Sequence, residues 1–212
     1  MAKRHILSCL VLLACLCAPA GAMAEGLLDS TVLRRDDIRA FTKWTGMLAR
    51  FRAARPSAGR DCPPSPLMPC PAQDWQAMVD GLRGQDILTQ IEAVNSRVNQ
   101  ALYVGDMSNW GVADYWATPF EFMAKDGDCE DYAIAKYLTL KSLGVNPAAM
   151  RIVVVDDLDL GVPHAVLTVQ AAGRTLVLDN RVAQVVDAGA VHHYRAIYSI
   201  NEAGWWLHHP PQ

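Results

Sequence analysis

Three residues of unlike chemistry follow one another along the second half of the chain: Cys129, His164 and Asp179. In that order they supply a nucleophile, a base to take its proton and a carboxylate to orient the base. A thiol attacks as its thiolate, yet Cys129 stands in "KDGDCEDY" between Asp126, Asp128, Glu130 and Asp131. Carboxylates on both sides raise a thiol's pKa and oppose that ionisation. A working Cys129 therefore needs a helix N-terminus beneath it, an imidazole beside it and a counter-ion for the acids.

The elements that must position these groups can be read from pattern. Asp128 to Leu143 reads as a helix, with Asp128 as N-cap, Asp131 as an approximate capping-box partner and an apolar stripe through Ile134, Tyr137 and Leu138. Gly144 stops it and Pro147 follows. Cys129 then falls in the first turn, where free N–H groups and the helix dipole favour a thiolate. Arg151 to Val155, His164 to Gln170, Arg174 to Leu178 and Tyr194 to Ile200 read as strands, the middle two joined by Ala171-Ala172-Gly173. In such a hairpin the start of one strand lies opposite the end of the next, so His164 and Asp179 become neighbours. Upstream, Leu27 to Arg55 reads as one or two helices, and Asp74 to Gly81 and Asp86 to Leu102 as two more. Helices followed by an antiparallel sheet give an α+β fold.

Four acids in six residues call for a cation. The spacing is not that of an EF-hand, because Asp131 stands where the glycine is required and Tyr137 where the bidentate glutamate belongs. Hard oxygen ligands favour calcium; a solvated acidic loop with a helix cap is the plainer alternative. The pairs His192-His193 and His208-His209 diverge on a strand and make poor metal sites. Trp110, Tyr115, Trp116, Trp205 and Trp206 read as packing, with Tyr115-Trp116 a candidate cleft wall.

The first 24 residues read as a signal peptide: Lys3 and Arg4, an apolar run from Ile6 to Cys17, and Ala22-Met23-Ala24 as the cleavage signal. The run is too short to span a bilayer, and Leu12-Leu13-Ala14-Cys15 is a poor lipobox. Residues 25–212 then form one exported domain with 17 basic and 22 acidic residues, a net charge of −5. That balance argues against nucleic acid or an anionic membrane as the main partner. Of the remaining cysteines, Cys62 and Cys70 flank a Pro-rich loop and suit a local disulfide in an oxidising compartment, leaving Cys129 as the odd thiol.

The segments "DYWATPFEFMAKDGDCEDYAIAKYLTL", "PHAVLTV" and "LVLDNR" resemble the bacterial transglutaminase-like cysteine proteinases, the LapG type of periplasmic protease. The resemblance runs from about Trp44. It implies a papain/transglutaminase-like fold with Cys129 as nucleophile, His164 as base and Asp179 as its orienter. It also implies calcium dependence, with ligands at Asp128 and Glu130 and with Asp131 as the further candidate. Members cut the N-terminal part of large repeat adhesins, usually at an Ala-Ala pair, and so release biofilm cells. In some systems an inner-membrane receptor for cyclic-di-GMP sequesters the protease. The oxyanion would rest on the Cys129 N–H and one more donor, Asn109 or Trp110. The same triad also fits a transglutaminase-like acyltransferase, and a silent calcium-dependent binding module is the third reading.

Overall fold

The computed structural model describes residue 28, residues 30–55 and residues 70–210. The expected signal peptide and Cys62 lie outside the described residues. Cys70, the other half of the expected link, is buried and disulfide-bonded immediately before α2.

Among the described residues, six α-helices and seven strands make the α+β fold. In chain order they are β1 Thr31–Arg35, α1 Thr42–Ala54, α2 Pro71–Leu82, α3 Ile87–Val98, α4 Asp106–Trp110, α5 Pro119–Lys125 and α6 Cys129–Ser142. Then follow β2 Met150–Asp157, β3 Val162–Ala171, β4 Arg174–Leu178, β5 Val186–Asp187, β6 Tyr194–Asn201 and β7 Gly204–His209. The strands form one antiparallel sheet in the order β1-β7-β6-β2-β3-β4-β5.

Helix α6 is buried nearly all round, from Asp131 to Leu140, rather than along one stripe. It lies between β2 and β3 on one side and α2, α3 and α5 on others. A helix enclosed in this way loses the polar face that an amphipathic reading assumes. Ile152, Leu167, Val169, Leu176, Leu178 and Ile200 carry the sheet's contribution to this core. Val153, Val155, Val166 and Val177 build a smaller cluster with Tyr194 and Ala196, as alternation along a strand requires.

The largest departure from the sequence reading is at the N-terminal side, where 31–35 is strand and only 42–54 is helix. Pairing with β7 decides the matter, because tertiary hydrogen bonds override weak helical patterning. Helix α2 starts earlier than expected, on Pro71 at its first turn. Helix α3 stops at Val98, with the Asp86 carboxylate accepting the Leu88 and Thr89 N–H groups at 3.1 Å each. The short α5 was not apparent from periodicity, but Thr118 and Glu121 make a full capping box at its start.

Candidate active site

The β3–β4 connection fixes one half of the site. Ala171 pairs Arg174, leaving Ala172 and Gly173 as the two turn residues, with φ of 50° and 72°. Positive φ at both positions is the type I′ turn, whose twist matches that of the strands and locks register. The last ladder pair is Leu167 with Leu178. His164 and Asp179 lie beyond it, diagonal to each other, and the His164 Nε2–H donates to Asp179 Oδ1 at 2.9 Å.

Both residues are buried, at 1% and 2% exposure. Asp179 Oδ1 also accepts the Arg181 N–H at 2.9 Å, and Oδ2 accepts the Tyr194 hydroxyl at 2.6 Å. Burial works against this carboxylate, but the His164 and Tyr194 hydrogen bonds outweigh it and hold its pKa at about 2. The other ring nitrogen, His164 Nδ1, is buried without a hydrogen-bond partner among the described residues. The imidazole is thus oriented by Asp179 while its second nitrogen stays free.

Cys129 opens α6, where its own N–H is one of the orphan donors of a helix start. The thiol donates to Glu130 Oε2 at 3.4 Å. Burial first, then the charges of Glu130 and Asp128, push its pKa up; the Ala165 N–H, one residue along β3 from His164, pulls the other way. The opposition to ionisation read from the sequence is therefore present, and so is proximity to the strand that carries the base.

The acids assemble more widely than the "DCED" run. Carboxylates of Asp106, Asp128 and Asp131 lie within 4.8 Å of one another, and Asp106, Asp114 and Glu130 form an overlapping group. Asp131 is fully buried; Oδ1 accepts the Ala117 N–H at 2.7 Å while Oδ2 has no partner. Asp106 Oδ1 and Asp128 Oδ1 are likewise buried and unpartnered. Burial, with Asp128 and Asp106 adding to it against the Ala117 bond, raises Asp131 to about 8. Burial, with the neighbouring Asp128 adding to it, also raises Glu130, and burial raises Asp106 despite its bond from the Tyr115 N–H. Three carboxylates within 4.8 Å of one another, each with an oxygen left without a hydrogen-bond partner among the described residues, make the donor set that a hard divalent cation takes.

Asp106 and Asp114 were not singled out by sequence, because they lie in α4 and its following loop, far from the cysteine in the chain. A parallel bridge between Tyr103 and Gly127, with the Val104 N–H donating to the Gly127 carbonyl at 2.9 Å, joins the two segments. Gly127 is required there: a Cβ would collide with the Asp131 carboxylate. Asp128 does occupy the N-cap position, yet its side chain makes no cap hydrogen bond, and the carboxylate joins the acid cluster instead. Asp131 is no capping partner of an Asp128 side chain in that arrangement.

Of the two suggested oxyanion donors, Asn109 is engaged, since its Nδ2 donates to the Lys125 and Asp126 carbonyls at 3.2 and 3.3 Å. Trp110 Nε1 has no partner among the described residues. Trp116 belongs to the core, and Tyr115 is tied to Glu121 beneath the Arg50 guanidinium. His208 is buried between the Ser30 and Ser199 hydroxyls, at 2.6 and 2.9 Å, away from any acid cluster.

No curated protein sequence matches the chain. LapG of Legionella pneumophila is 35% identical over 64% of this chain and 77% of that one, with a TM-score of 0.58; its EGTA-treated form covers 75% of that chain at the same identity and score. Calcium-bound LapG is 30% identical over 76% of this chain and 87% of that one, with a TM-score of 0.60. Residues 70–209, which hold the His164–Asp179 pair, the thiol and the acid cluster, match the family of bacterial transglutaminase-like cysteine proteinases (BTLCP), and the chain belongs to that family.

Proposed function

We propose that the protein is a calcium-dependent periplasmic cysteine endopeptidase using Cys129, His164 and Asp179. The observation that carries this reading is the His164–Asp179 hydrogen bond through Nε2, which leaves the buried Nδ1 free for the Cys129 proton. The thiolate attacks the scissile carbonyl, His164 returns the proton to the leaving amine, and water then hydrolyses the thioester. The Cys129 N–H at the start of α6 faces the developing oxyanion, with Trp110 the remaining candidate for a second donor.

Calcium would be held by Asp106, Asp128 and Asp131, with Glu130 beside them. When bound it supplies positive charge that offsets the acids surrounding the thiol. The calcium-bound state of LapG and the orphaned oxygens of this cluster support the assignment. The N-terminal signal, and a Cys62–Cys70 link consistent with the buried, disulfide-bonded Cys70, support a periplasmic setting. The substrate class we assign is the N-terminal region of a large repeat adhesin, cut at an Ala-Ala pair to release biofilm cells. A cyclic-di-GMP-responsive inner-membrane receptor is the proposed sequestering partner.

A recombinant adhesin N-terminal fragment carrying an Ala-Ala pair, incubated with the protein in calcium and in excess EGTA, tests this. Cleavage should occur only with calcium and should vanish in Cys129→Ala, which keeps its thermal transition. Cleavage by Cys129→Ala refutes the nucleophile, and undiminished cleavage in EGTA refutes the calcium requirement.

A further inference from the structure

Asp179 serves more groups than orienting an imidazole requires. Besides His164 and the Arg181 N–H, it accepts the hydroxyl of Tyr194, and at 2.6 Å this is the shortest of its three bonds. Tyr194 opens β6, is 5% exposed, and sets its ring 5.6 Å from that of His164 and 4.1 Å from that of His193. The ring is thus wedged so that its hydroxyl reaches the oxygen His164 does not use. Burial and the Asp179 charge push the phenol's pKa up, so it remains a donor.

A second group lies behind the same carboxylate. Lys136, two helical turns beyond Cys129 on α6, is fully buried, with Nζ making no hydrogen bond among the described residues and lying 6.0 Å from the centre of the Tyr132 ring. Burial lowers it to about 7, and the charge that works the other way is that of Asp179. The Arg181 guanidinium is engaged with Asp157 at 2.6 Å. Asn99 on α3 holds the backbone of this loop, donating to the Asp179 and Val182 carbonyls at 2.7 and 3.2 Å. The carboxylate is held by three donors and its backbone by Asn99, and its charge is shared among them.

Sharing matters because a carboxylate that is too basic holds an imidazolium too well. The proton His164 takes from the thiol must later be released to the leaving amine. We propose that Tyr194 is a positioning residue that acts through Asp179, fixing its second oxygen and drawing off part of its charge, so that His164 is oriented without being locked as imidazolium. This rests on the assignment of Cys129, His164 and Asp179 as the reacting groups.

The test uses the full mature chain loaded with calcium. The low-field proton NMR signal of the His164 Nε2–H, identified by its absence in His164→Ala, reports the bond to Asp179. In Tyr194→Phe it should move to lower field, because Asp179 becomes the stronger acceptor. With 3-fluorotyrosine at position 194, a stronger donor of the same shape, it should move to higher field. On the adhesin fragment, Tyr194→Phe should lose about fivefold to tenfold in kcat at unchanged KM, as expected for one hydrogen bond of about 1 kcal/mol. A signal unmoved in both variants, or a kcat within twofold of wild type, overturns the role of Tyr194. Retention of cleavage by His164→Ala would instead sink the triad on which it rests. If wild type leaves the fragment uncut, the substrate assignment fails and the NMR arm still decides on Tyr194.

Discussion

Asp131 and Asp179 are both buried aspartates of one site, and they have opposite fates. Asp179 receives three donors and stays a carboxylate down to about 2. Asp131 receives the Ala117 N–H on one oxygen, has none on the other, faces Asp128 and Asp106, and rises to about 8. Burial opposes ionisation in both cases; the number of donors decides the outcome. One end of the site therefore has its carboxylate fully satisfied, while the other keeps carboxylate oxygens without a hydrogen-bond partner among the described residues.

That contrast breaks most sharply under paired substitution. Asp179→Asn should lose about 10³- to 10⁴-fold in kcat, because an amide favours the wrong imidazole tautomer, with calcium affinity unchanged by titration calorimetry. Asp131→Asn should do the reverse, weakening calcium by at least about tenfold to a hundredfold and restoring activity at high calcium. Equal loss of calcium affinity in both variants would mean that the two ends are one unit.

A subtler consequence concerns pH. A carboxyl raised from 3.8 to about 8 contributes stability that is present below 3.8 and lost as the pH climbs to about 8. In EGTA the Tm should therefore fall between pH 4 and 8, and saturating calcium should flatten the slope. Asp131→Asn should make it shallower without calcium, leaving the part that Glu130 and Asp106 contribute, and an undiminished slope in that variant would assign it elsewhere. The smallest expected effect is that of Gly127→Ala, about 1–3 kcal/mol of stability by denaturant unfolding, since the new methyl displaces the Asp131 carboxylate. Wild-type calcium affinity in that variant would show that Gly127 is a bystander.

The satisfied end was the legible one. His164 and Asp179 could be joined from sequence because a two-residue turn and strand alternation are local rules, and the observed I′ turn obeys them. The start of α6 at Cys129 was legible for the same reason. The acidic end was read only in part, since Asp106 and Asp114 reach it through the Tyr103–Gly127 bridge, a long-range contact without local signature. The β1 strand was misread as helix on similar grounds, because its partner β7 lies at the other end of the chain. Tyr194 gave no sign at all: its role depends on a hydroxyl meeting an oxygen across the sheet.

The placement of β1 has a bearing on handling the molecule. It is an outer strand that shields β7, whose Trp205, Trp206 and Leu207 pair with Arg35, Arg34 and Leu33. The opposite margin is only Val186–Asp187, too short to recruit another chain. Two arginines on β1 discourage further strand addition. Trimming the polypeptide past Ser30 would strip this cover and bare a tryptophan-rich backbone edge. Shortened versions should thus clump through β7 even though every residue of the candidate site is intact.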